Sequence, residues 1–416
     1  MVSIELFLGL LLTAIVVVVV AGRLRIPYTI GLVVLGLLLG IAATVSGRGW
    51  IPSSVSGLFS PSLFFDILLP PIIFEAALNV RFVHLRRHLG LVLFLVSVGV
   101  VFTTVFTGLV VGYLAGLPIL AALLLGAILS PTDPIAVVDL FRRLKVPEEL
   151  STIVQSESLL NDAVGVMLFV VLLGFATTGT ADLGVASIQF VWLTLGGIAV
   201  GLLAAGGVYL LHRRVNDASV ETSISVVAAY GSFLVATDIG ASGIIATAIA
   251  GLAVGTVVAP RAIEPEVRSA LSVFWGVVVY IANSVIFLSV GLLIAVYRLF
   301  ENLPLILVVF AALLVGRAII VGAWRAVHHR VPGANLPPTW YTVISFAGIR
   351  GAIPIVLALS LLTTPTRLSN DVVQSIVAAV FGVAFLSITV GNLVEGAYVR
   401  GRFRGGGRPP PDVPAG

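Results

Sequence analysis

Apolar stretches recur along this chain from residue 3 to residue 399, and short polar loops separate them. A stretch of roughly 20 apolar residues can cross a bilayer as an α-helix, and a helix satisfies its own backbone hydrogen bonds where water is absent. Only 10% of the 416 residues are charged, against about 25% in ordinary soluble domains. We therefore predict an all-α polytopic membrane protein with about 13 transmembrane helices, at residues 3–21, 28–45, 60–79, 90–114, 118–141, 149–176, 186–211, 221–238, 241–258, 270–297, 304–324, 341–362 and 372–399.

The basic residues predict the orientation of these spans. Cytoplasmic loops carry an excess of Lys and Arg; eighteen of the 23 basic residues fall in one set of alternate loops, and three fall in the other. We therefore predict a protein of the cell (inner) membrane whose N-terminus lies on the outer side. The short basic, Pro- and Gly-rich tail at 401–416 is predicted to lie in the cytoplasm. Although the pI is near 9.7, we expect the basic loops to meet the headgroups of the lipid bilayer and not nucleic acid.

We predict no functional site from the cysteine and histidine content of the chain. The chain has no cysteine, which excludes disulfides and thiolate metal ligands. The histidines fall in or beside the predicted cytoplasmic loops, where we expect them to be solvated. They are His84, His88, His212, His328 and His329.

Two carboxylates interrupt the sixth apolar span, in the sequence Ser156-Glu157-Ser158-Leu159-Leu160-Asn161-Asp162. A carboxylate at the centre of a membrane helix costs roughly 2.5–3.5 kcal/mol on insertion scales, so such residues usually serve ion or proton pathways. Helical spacing puts Glu157 and Asn161 on one face, and Ser158 and Asp162 on the next. We predict that this polar stripe belongs to an ion site, with a purely structural ion pair as the alternative.

Proline and glycine interrupt the fifth and twelfth spans, in Ser130-Pro131-Thr132-Asp133-Pro134 and Gly348-Ile349-Arg350-Gly351-Ala352-Ile353-Pro354. Proline removes a backbone hydrogen bond, so these helices are expected to unwind and leave carbonyl groups free. The breaks lie an odd number of spans apart and would run in opposite directions, as in the inverted repeats of secondary transporters. We predict crossed discontinuous helices at spans 5 and 12, and repeats at about 1–176 and 221–400 joined by a linker helix at 186–211.

Further ionisable residues are expected inside the membrane. Arginine stays charged at any relevant pH, so each buried arginine should neutralise an acid or cap a broken helix. The residues themselves do not decide which arginine pairs with Glu157. The expected buried set is Glu75, Asp133, Glu157, Asp162, Arg317 and Arg350. Other acids lie nearer the ends of spans and are grouped with the loops, namely Asp66, Asp139, Asp238 and Glu395.

The carboxylates and the hydroxyls of Thr132 and Ser158 are hard oxygen ligands, which suit a small hard cation. A buried carboxylate can hold either a proton or such a cation, so competition for Asp162 would couple their opposite movements. The sequence contains no P-loop or glycine-rich phosphate cradle, and we expect no cofactor and no enzymatic activity. The alternatives are potassium in place of sodium, a passive cation channel, and an intramembrane aspartic protease that uses Asp133 and Asp162.

The sequence resembles the monovalent cation/proton antiporter superfamily, and within it the NhaP-like, electroneutral sodium/proton antiporters. The resemblance covers nearly the whole chain, and the Asn-Asp pair in its Ser-Glu-Ser-Leu-Leu context is the most specific part. The matching motifs are Phe74-Glu75-Ala76-Ala77-Leu78, Ser130-Pro131-Thr132-Asp133-Pro134-Ile135-Ala136-Val137, Glu157-Ser158-Leu159-Leu160-Asn161-Asp162, Phe274-Trp275 with Asn283, Gly316-Arg317-Ala318 and Gly348-Ile349-Arg350-Gly351-Ala352.

The resemblance implies how the site binds its ions. Asp162 would be the carboxylate that exchanges sodium (or lithium) for a proton. Asp133, Thr132 and Ser158 would line the sodium site, and Glu75 would be a further ligand, direct or through water.

The resemblance also implies the charge balance and the architecture. Asn161 stands where electrogenic relatives carry a second aspartate, which implies 1:1 electroneutral exchange. Arg317 would pair with Glu157, and Arg350 would compensate the charge where the broken helices cross. Residues 1–400 would form a single transporter unit that assembles as a homodimer. Spans 4–6 and 11–13 would form a core domain, and the other spans a dimerisation domain.

Overall fold

The computed structural model describes residues 4–24, 28–45, 62–133, 137–138, 141, 144, 146–212, 217–258, 265–294, 301–328 and 336–403. Within these ranges every regular element is a helix. The helices are α1 (Ile4–Leu24), α2 (Tyr28–Val45), α3 (a π-helical turn Leu63–Leu68, then Leu69–Leu78), α4 (Phe82–Arg87), α5 (Leu89–Phe94, a π-helical turn Leu95–Gly99, then Val100–Ala115), α6 (Ile119–Ile128), α7 (Glu148–Thr178), α8 (Leu183–His212), α9 (Ala218–Asp238), α10 (Gly243–Ala253, then a π-helical turn Val254–Val258), α11 (Pro265–Ile294), α12 (Leu303–His328), α13 (Pro338–Phe346), α14 (Ala352–Thr363) and α15 (Asn370–Leu386, a π-helical turn Ser387–Gly391, then Asn392–Phe403).

The length and composition of these helices define a multi-pass membrane protein. Of the described helices, seven are long and apolar enough to cross a membrane, namely α5, α7, α8, α9, α11, α12 and α15. Shorter apolar helices of 10–17 residues lie in α1, α2, α6, α10 and α14. Each predicted span overlaps a described helix. The predicted features that lie outside the described residues are Pro134, Ile135, Ala136, Asp139, His329 and the tail from residue 404.

Two predicted spans are interrupted where proline and glycine stand. The fifth span begins as α6 and loses helical structure after Ile128, and residues 130–133 are extended or irregular. In the twelfth span, non-helical residues 347–351 separate α13 from α14. The first break lies within the motif that predicted it, as far as residue 133. The second is shorter than predicted, since Ala352, Ile353 and Pro354 already belong to α14. The reason is that proline is tolerated in the first turn of a helix.

The chain forms two compact units. Unit 1 consists of Met1–Phe82 and Leu173–Val296, and unit 2 consists of Val83–Leu172 and Tyr297–Gly416. Unit 1 therefore contains α1 to α3 and α8 to α11, and unit 2 contains α5, α6, most of α7, and α12 to α15.

Unit 1 is held together by an aromatic core between α3 and α11. Trp275 is 1% exposed, and its ring centroid lies 5.1 Å from that of Phe74. Its indole Nε1 donates a hydrogen bond to Oγ of Ser225 in α9 at 3.0 Å. Gly251 of α10 packs against the same place, because a Cβ there would lie 2.7 Å from the carbonyl oxygen of Phe74. Four helices of unit 1 thus meet around one tryptophan.

His212 and Glu221 are buried together in unit 1. Both side chains are 0% exposed, and Nδ1 of His212 lies 3.1 Å from Oε2 of Glu221, although the two groups are not aligned for a hydrogen bond. The prediction that His212 is solvated was therefore wrong. The reason is that α8 continues to His212 and α9 begins at Ala218, so the helix that follows covers the imidazole.

His88 in unit 2 is also more buried than predicted. Its side chain is 10% exposed, and its Nε2 lies 2.7 Å from Oε1 of Glu149, which also accepts a hydrogen bond from Nη1 of Arg87 at 3.0 Å. Glu149 lies in the first turn of α7, so this cluster joins the start of α5 to the start of α7. The prediction of a solvated His88 failed because the junction between α4 and α5 packs against the start of α7.

Glycine lets the helices of unit 2 approach closely around the site. A Cβ on Gly126 of α6 would lie 2.5 Å from the carbonyl oxygen of Thr104 in α5, and a Cβ on Gly382 of α15 would overlap the side chain of Ile306 in α12. Small residues at such crossings allow backbone-to-backbone packing in membranes. The broken α6 is thus held tightly against α5.

Candidate ion-binding site

The acidic stripe of α7 lies mostly in the interior of unit 2. Glu157, Ser158 and Asn161 are at most 2% exposed, whereas Asp162 is partly exposed. Nδ2 of Asn161 donates to Oε1 of Glu157 at 2.9 Å, which is the contact that the i, i+4 spacing predicts. Burying these polar groups is costly unless each finds a hydrogen-bond partner, so the surroundings of the stripe decide what it can do.

Thr132, in the break that follows α6, provides several of those partners. Oγ of Ser158 donates to the carbonyl oxygen of Thr132 at 2.6 Å, and Nδ2 of Asn161 donates to Oγ1 of Thr132 at 2.7 Å. The backbone N–H of Thr132 in turn donates to Oδ1 of Asn161 at 3.3 Å. Irregular backbone is tolerated at membrane depth only where protein groups satisfy it, and here the side chains of α7 do so.

Asp162 lies beside the same break, and one oxygen of its carboxylate is available to bind a ligand. Its Oδ1 is buried and has no hydrogen-bond partner among the residues that the structure describes. The carboxylate lies near the backbone N–H of Thr132, and the charges of Asp133 and Glu157 act on it. An ionised carboxylate only accepts hydrogen bonds. Such an oxygen can therefore be satisfied by a proton or by a cation.

Arg317 of α12 neutralises Glu157. Its Nη1 and Nη2 donate to Oε1 and Oε2 of Glu157 at 3.0 and 2.9 Å, the bidentate arrangement of strong arginine–carboxylate pairs. Its Nε donates to the carbonyl oxygen of Ile344, near the end of α13, at 2.9 Å. The residues alone left the partner of Glu157 open between two arginines. The geometry pairs it with Arg317.

Arg350 connects the two broken helices. Its Nε donates to the carbonyl oxygen of Leu129 at the end of α6, at 2.9 Å, and its Nη1 donates to the carbonyl oxygen of Gly348. The backbone N–H of Asp133 donates to the carbonyl oxygen of Ile349 at 2.7 Å. Carbonyl groups at the end of a helix carry partial negative charge, so the guanidinium is balanced by the two helix ends that it joins.

Gly351 is required where the breaks touch. A Cβ at this position would overlap the side chain of Asp133. The missing side chain of Gly351 thus lets the backbone of the second break approach Asp133 of the first break directly. This close approach could not be derived from the spacing of the two motifs.

Other residues singled out from the sequence belong to unit 1. Oε1 of Glu75 in α3 accepts a hydrogen bond from Nδ2 of Asn79 at 2.7 Å, and the side chain is partly buried. Asn283 of α11 is 2% exposed. Thr132, Ser158, Asn161 and the two aspartates therefore all lie in unit 2, whereas Glu75 lies in unit 1.

Glu395 is a buried acid that the sequence analysis set aside with the loops. It lies in the last part of α15 and is 1% exposed. That interpretation was wrong because α15 continues to Phe403, so Glu395 lies two turns before the helix ends. A sequence signal was available, since Glu395 stands inside the predicted span 372–399.

The contact between α7 and the first break gives a test of the packing. Gly165→Ala would put a Cβ 2.6 Å from Oγ of Ser130 and 2.8 Å from the ring of Pro131. We expect a loss of stability of about 1–3 kcal/mol from overpacking, measured by thermal unfolding in detergent. Gly174→Ala in the same helix meets nothing within 4 Å and should be neutral or slightly stabilising. Equal unfolding temperatures for the two variants would contradict this packing.

The fold and the site together define a class of protein. Two discontinuous helices that meet beside buried carboxylates, in an all-helical membrane protein, are characteristic of secondary ion transporters. Residues 10–396 match the family described as sodium/hydrogen exchanger, transmembrane, and this chain belongs to that family. The family consists of transporters and not enzymes.

Relatives with similar sequences carry antiporter names. The chain is 36% identical over 371 residues to the Na(+)/H(+) antiporter ApNhaP of Aphanothece halophytica, covering 89% of this chain and 68% of the relative. It is 32% identical to the low-affinity Na(+)/H(+) antiporter NhaS1 of Synechocystis sp., covering 91% of this chain and 70% of the relative. These matches make the chain an NhaP-like member of the family.

The fold is also similar to a solved structure. The sodium proton antiporter MjNhaP1 from Methanocaldococcus jannaschii at pH 8 superposes with a TM-score of 0.79 at 23% sequence identity, over 95% of this chain and 97% of that chain. At this level of identity, the similarity establishes the fold.

Proposed function

We propose that this protein is a secondary active antiporter that exchanges sodium (or lithium) for protons, with Asp162 as the carboxylate for which cation and proton compete. The observation that carries the proposal is the buried Oδ1 of Asp162, which has no hydrogen-bond partner in the described part of the chain and lies beside the unwound backbone at Thr132. The Na(+)/H(+) antiporter names of the relatives support sodium as the cation.

The proposed sodium ligands are oxygens of different kinds. Asp162 and Asp133 would contribute carboxylates, and Ser158 and Thr132 would contribute hydroxyls. Among the described residues, no group of three or more His, Cys, Asp or Glu side chains is arranged to hold a metal ion. A mixed, weakly charged set of this kind suits a hard monovalent cation that must also leave. Glu75 in unit 1 stays a predicted ligand, on the resemblance alone.

We propose 1:1 electroneutral exchange from the charges around Asp162. Glu157 is compensated by its bidentate pair with Arg317, and the residue before Asp162 is the neutral Asn161. Arg350 is balanced by carbonyl groups of the two breaks. Asp162 is then the carboxylate whose charge one sodium or one proton would neutralise in each half of the cycle.

We also propose a role for each of the two units. Unit 2 carries the site and would be the core domain that moves during alternating access, and unit 1 would be the dimerisation domain of a homodimer. The hydrogen bonds between the two breaks support the proposal that spans 5 and 12 are the crossed helices of two inverted repeats. The excess of basic residues in one set of loops supports an outside N-terminus and a cytoplasmic C-terminus.

Proteoliposomes test the function directly. With purified protein and a pH-sensitive dye inside, an imposed sodium gradient should drive protons in the opposite direction, saturably, and at a rate that an imposed membrane potential does not change. Lithium should replace sodium because its ligand chemistry is the same, and potassium should be slower. Faster exchange with potassium would favour the potassium/proton alternative, net current without proton countermovement would indicate a channel, and no ion movement would contradict transport.

A further inference from the structure

Glu395 is a buried carboxylate for which the proposed exchange mechanism has no use. Its side chain lies in unit 2 and is 1% exposed, and neither carboxylate oxygen has a hydrogen-bond partner among the described residues. A buried charge without hydrogen bonds is expensive. Such a group must be stabilised by an opposite charge, or it must bind a proton.

Arg317 is the opposite charge that acts on Glu395. Three of the five N–H groups of its guanidinium already donate, two to Glu157 and one to Ile344. The charge of one arginine therefore acts on two carboxylates: Glu157 is bound directly, and Glu395 interacts with it only through its charge. Burial favours the neutral form of Glu395 and Arg317 favours the charged form, so the two influences oppose each other.

The helices around Glu395 contribute few other titratable groups. The end of α15 packs against α13, where the rings of Phe346 and Tyr398 lie 6.0 Å apart. Between Pro338 and Phe346, α13 contains no charged residue and one titratable side chain, Tyr341. Within α15, the titratable neighbours are Tyr398 and Arg400, and Nε of Arg400 donates to the backbone of its own helix. Among the described groups, Arg317 thus dominates the electrostatic surroundings of Glu395.

Arg317 links the charge of Glu395 to the ion-binding site, because the same guanidinium is bound to Glu157. Its bidentate partner Glu157 accepts a hydrogen bond from Asn161 at 2.9 Å, and the same amide nitrogen donates to Thr132 at 2.7 Å. Glu395 is not one of the proposed cation ligands. A change in its charge would reach the site by changing how much of the positive charge of Arg317 is left for Glu157.

We propose that Glu395 is a positioning residue for ion exchange, which binds and releases a proton and so divides the charge of Arg317 between itself and Glu157. The proposal rests on the proposed exchange function. When Glu395 is charged, it adds a negative charge to the site region, and Asp162 holds sodium more tightly. When Glu395 is neutral, Arg317 is balanced by Glu157 alone, and sodium is held more weakly. The carboxylate thus makes sodium affinity rise towards alkaline pH.

The test compares Glu395→Gln with the unsubstituted protein in proteoliposomes, with sodium-driven proton movement measured across a range of pH. Glutamine keeps the size of the side chain and cannot become charged. We expect an unchanged KM for sodium at acidic pH and a KM raised about two- to fivefold at alkaline pH, because the charge of Glu395 acts on the site from a distance. The kcat should change little. A role that is only structural would lower activity by a similar factor at every pH.

Two further variants sharpen the test. Glu395→Asp keeps a carboxylate and should keep the alkaline gain in affinity. Asp371→Asn, an exposed position in the first turn of the same helix, is the matched control and should leave the KM profile unchanged. If Glu395→Gln does not fold, Glu395→Leu provides a neutral side chain of similar size.

The outcomes separate this proposal from the exchange function. Absence of sodium-driven proton movement in the unsubstituted protein would contradict the exchange function itself. Normal exchange, together with a KM profile in Glu395→Gln that matches the unsubstituted protein or differs by one factor at all pH values, would overturn the role of Glu395 alone.

Discussion

Replacing Asp162 by asparagine is expected to abolish sodium-driven proton movement and to leave the protein folded. Asparagine has the same shape and cannot bind or release a proton at this position, so neither half of the exchange can occur. Stability should change little, because the buried Oδ1 of Asp162 makes no hydrogen bond within the described residues. Removing the carboxylate also removes repulsion from Asp133 and Glu157, whose charges act on it.

The measurement combines the proteoliposome assay with thermal unfolding in detergent. Asp182→Asn is a suitable control, since Asp182 caps the start of α8 by accepting from the backbone N–H groups of Gly184 and Val185, and asparagine caps helices equally well. This control should exchange normally. Retained exchange in Asp162→Asn would show that Asp162 is not the exchanging carboxylate. Loss of folding in this variant would show that Asp162 has a structural role.

Arg317→Ala is expected to destabilise the protein by about 3–5 kcal/mol, the usual cost of removing one partner of a buried pair. Glu157, 2% exposed, would be left as an unpaired charge, and the carbonyl oxygen of Ile344 would lose its donor. Thermal unfolding in detergent should show a large decrease in the unfolding temperature. Exchange should also fall, because the Glu157–Asn161–Thr132 contacts depend on this arginine.

Two comparisons test the cause of that loss. Adding Glu157→Gln to Arg317→Ala should restore part of the stability, because the uncompensated charge is then removed. Arg87→Ala removes an ion pair in which the arginine side chain is 64% exposed, and it should cost no more than about 1 kcal/mol. An Arg317→Ala protein that unfolds near the normal temperature would show that Glu157 has another partner.

The helices and the breaks of this protein were predictable because both follow from local chemistry. A run of apolar residues must form a self-satisfied helix in lipid, and the described helices overlap every predicted span. Proline removes a backbone hydrogen bond and glycine weakens a helix, so the motifs at 130–134 and 348–354 were predicted to unwind, and residues 130–133 and 347–351 are non-helical. The stacking of Asn161 on Glu157 also followed from helical spacing alone.

Predictions based on closeness to a loop were less successful. His212, His88 and Glu395 all stand near the ends of helices and were expected in water or with the loops. The structure buries His212 against Glu221, and it buries Glu395 so that 1% of the residue is exposed. Exposure depends on what a neighbouring helix covers, and hydropathy along one helix contains no information about that neighbour.

The amino-acid sequence by itself determined that this chain is a helical membrane protein of the cation/proton antiporter type, with two broken spans and an acidic stripe in the sixth. The tertiary structure decided which groups interact: Arg317 pairs with Glu157, Arg350 binds carbonyl groups of both breaks, and the charge of Arg317 also acts on the buried Glu395. The physical reason is that periodicity and side-chain chemistry act within one helix, whereas ion pairs and hydrogen bonds between residues 160 or more positions apart in the chain depend on how helices pack.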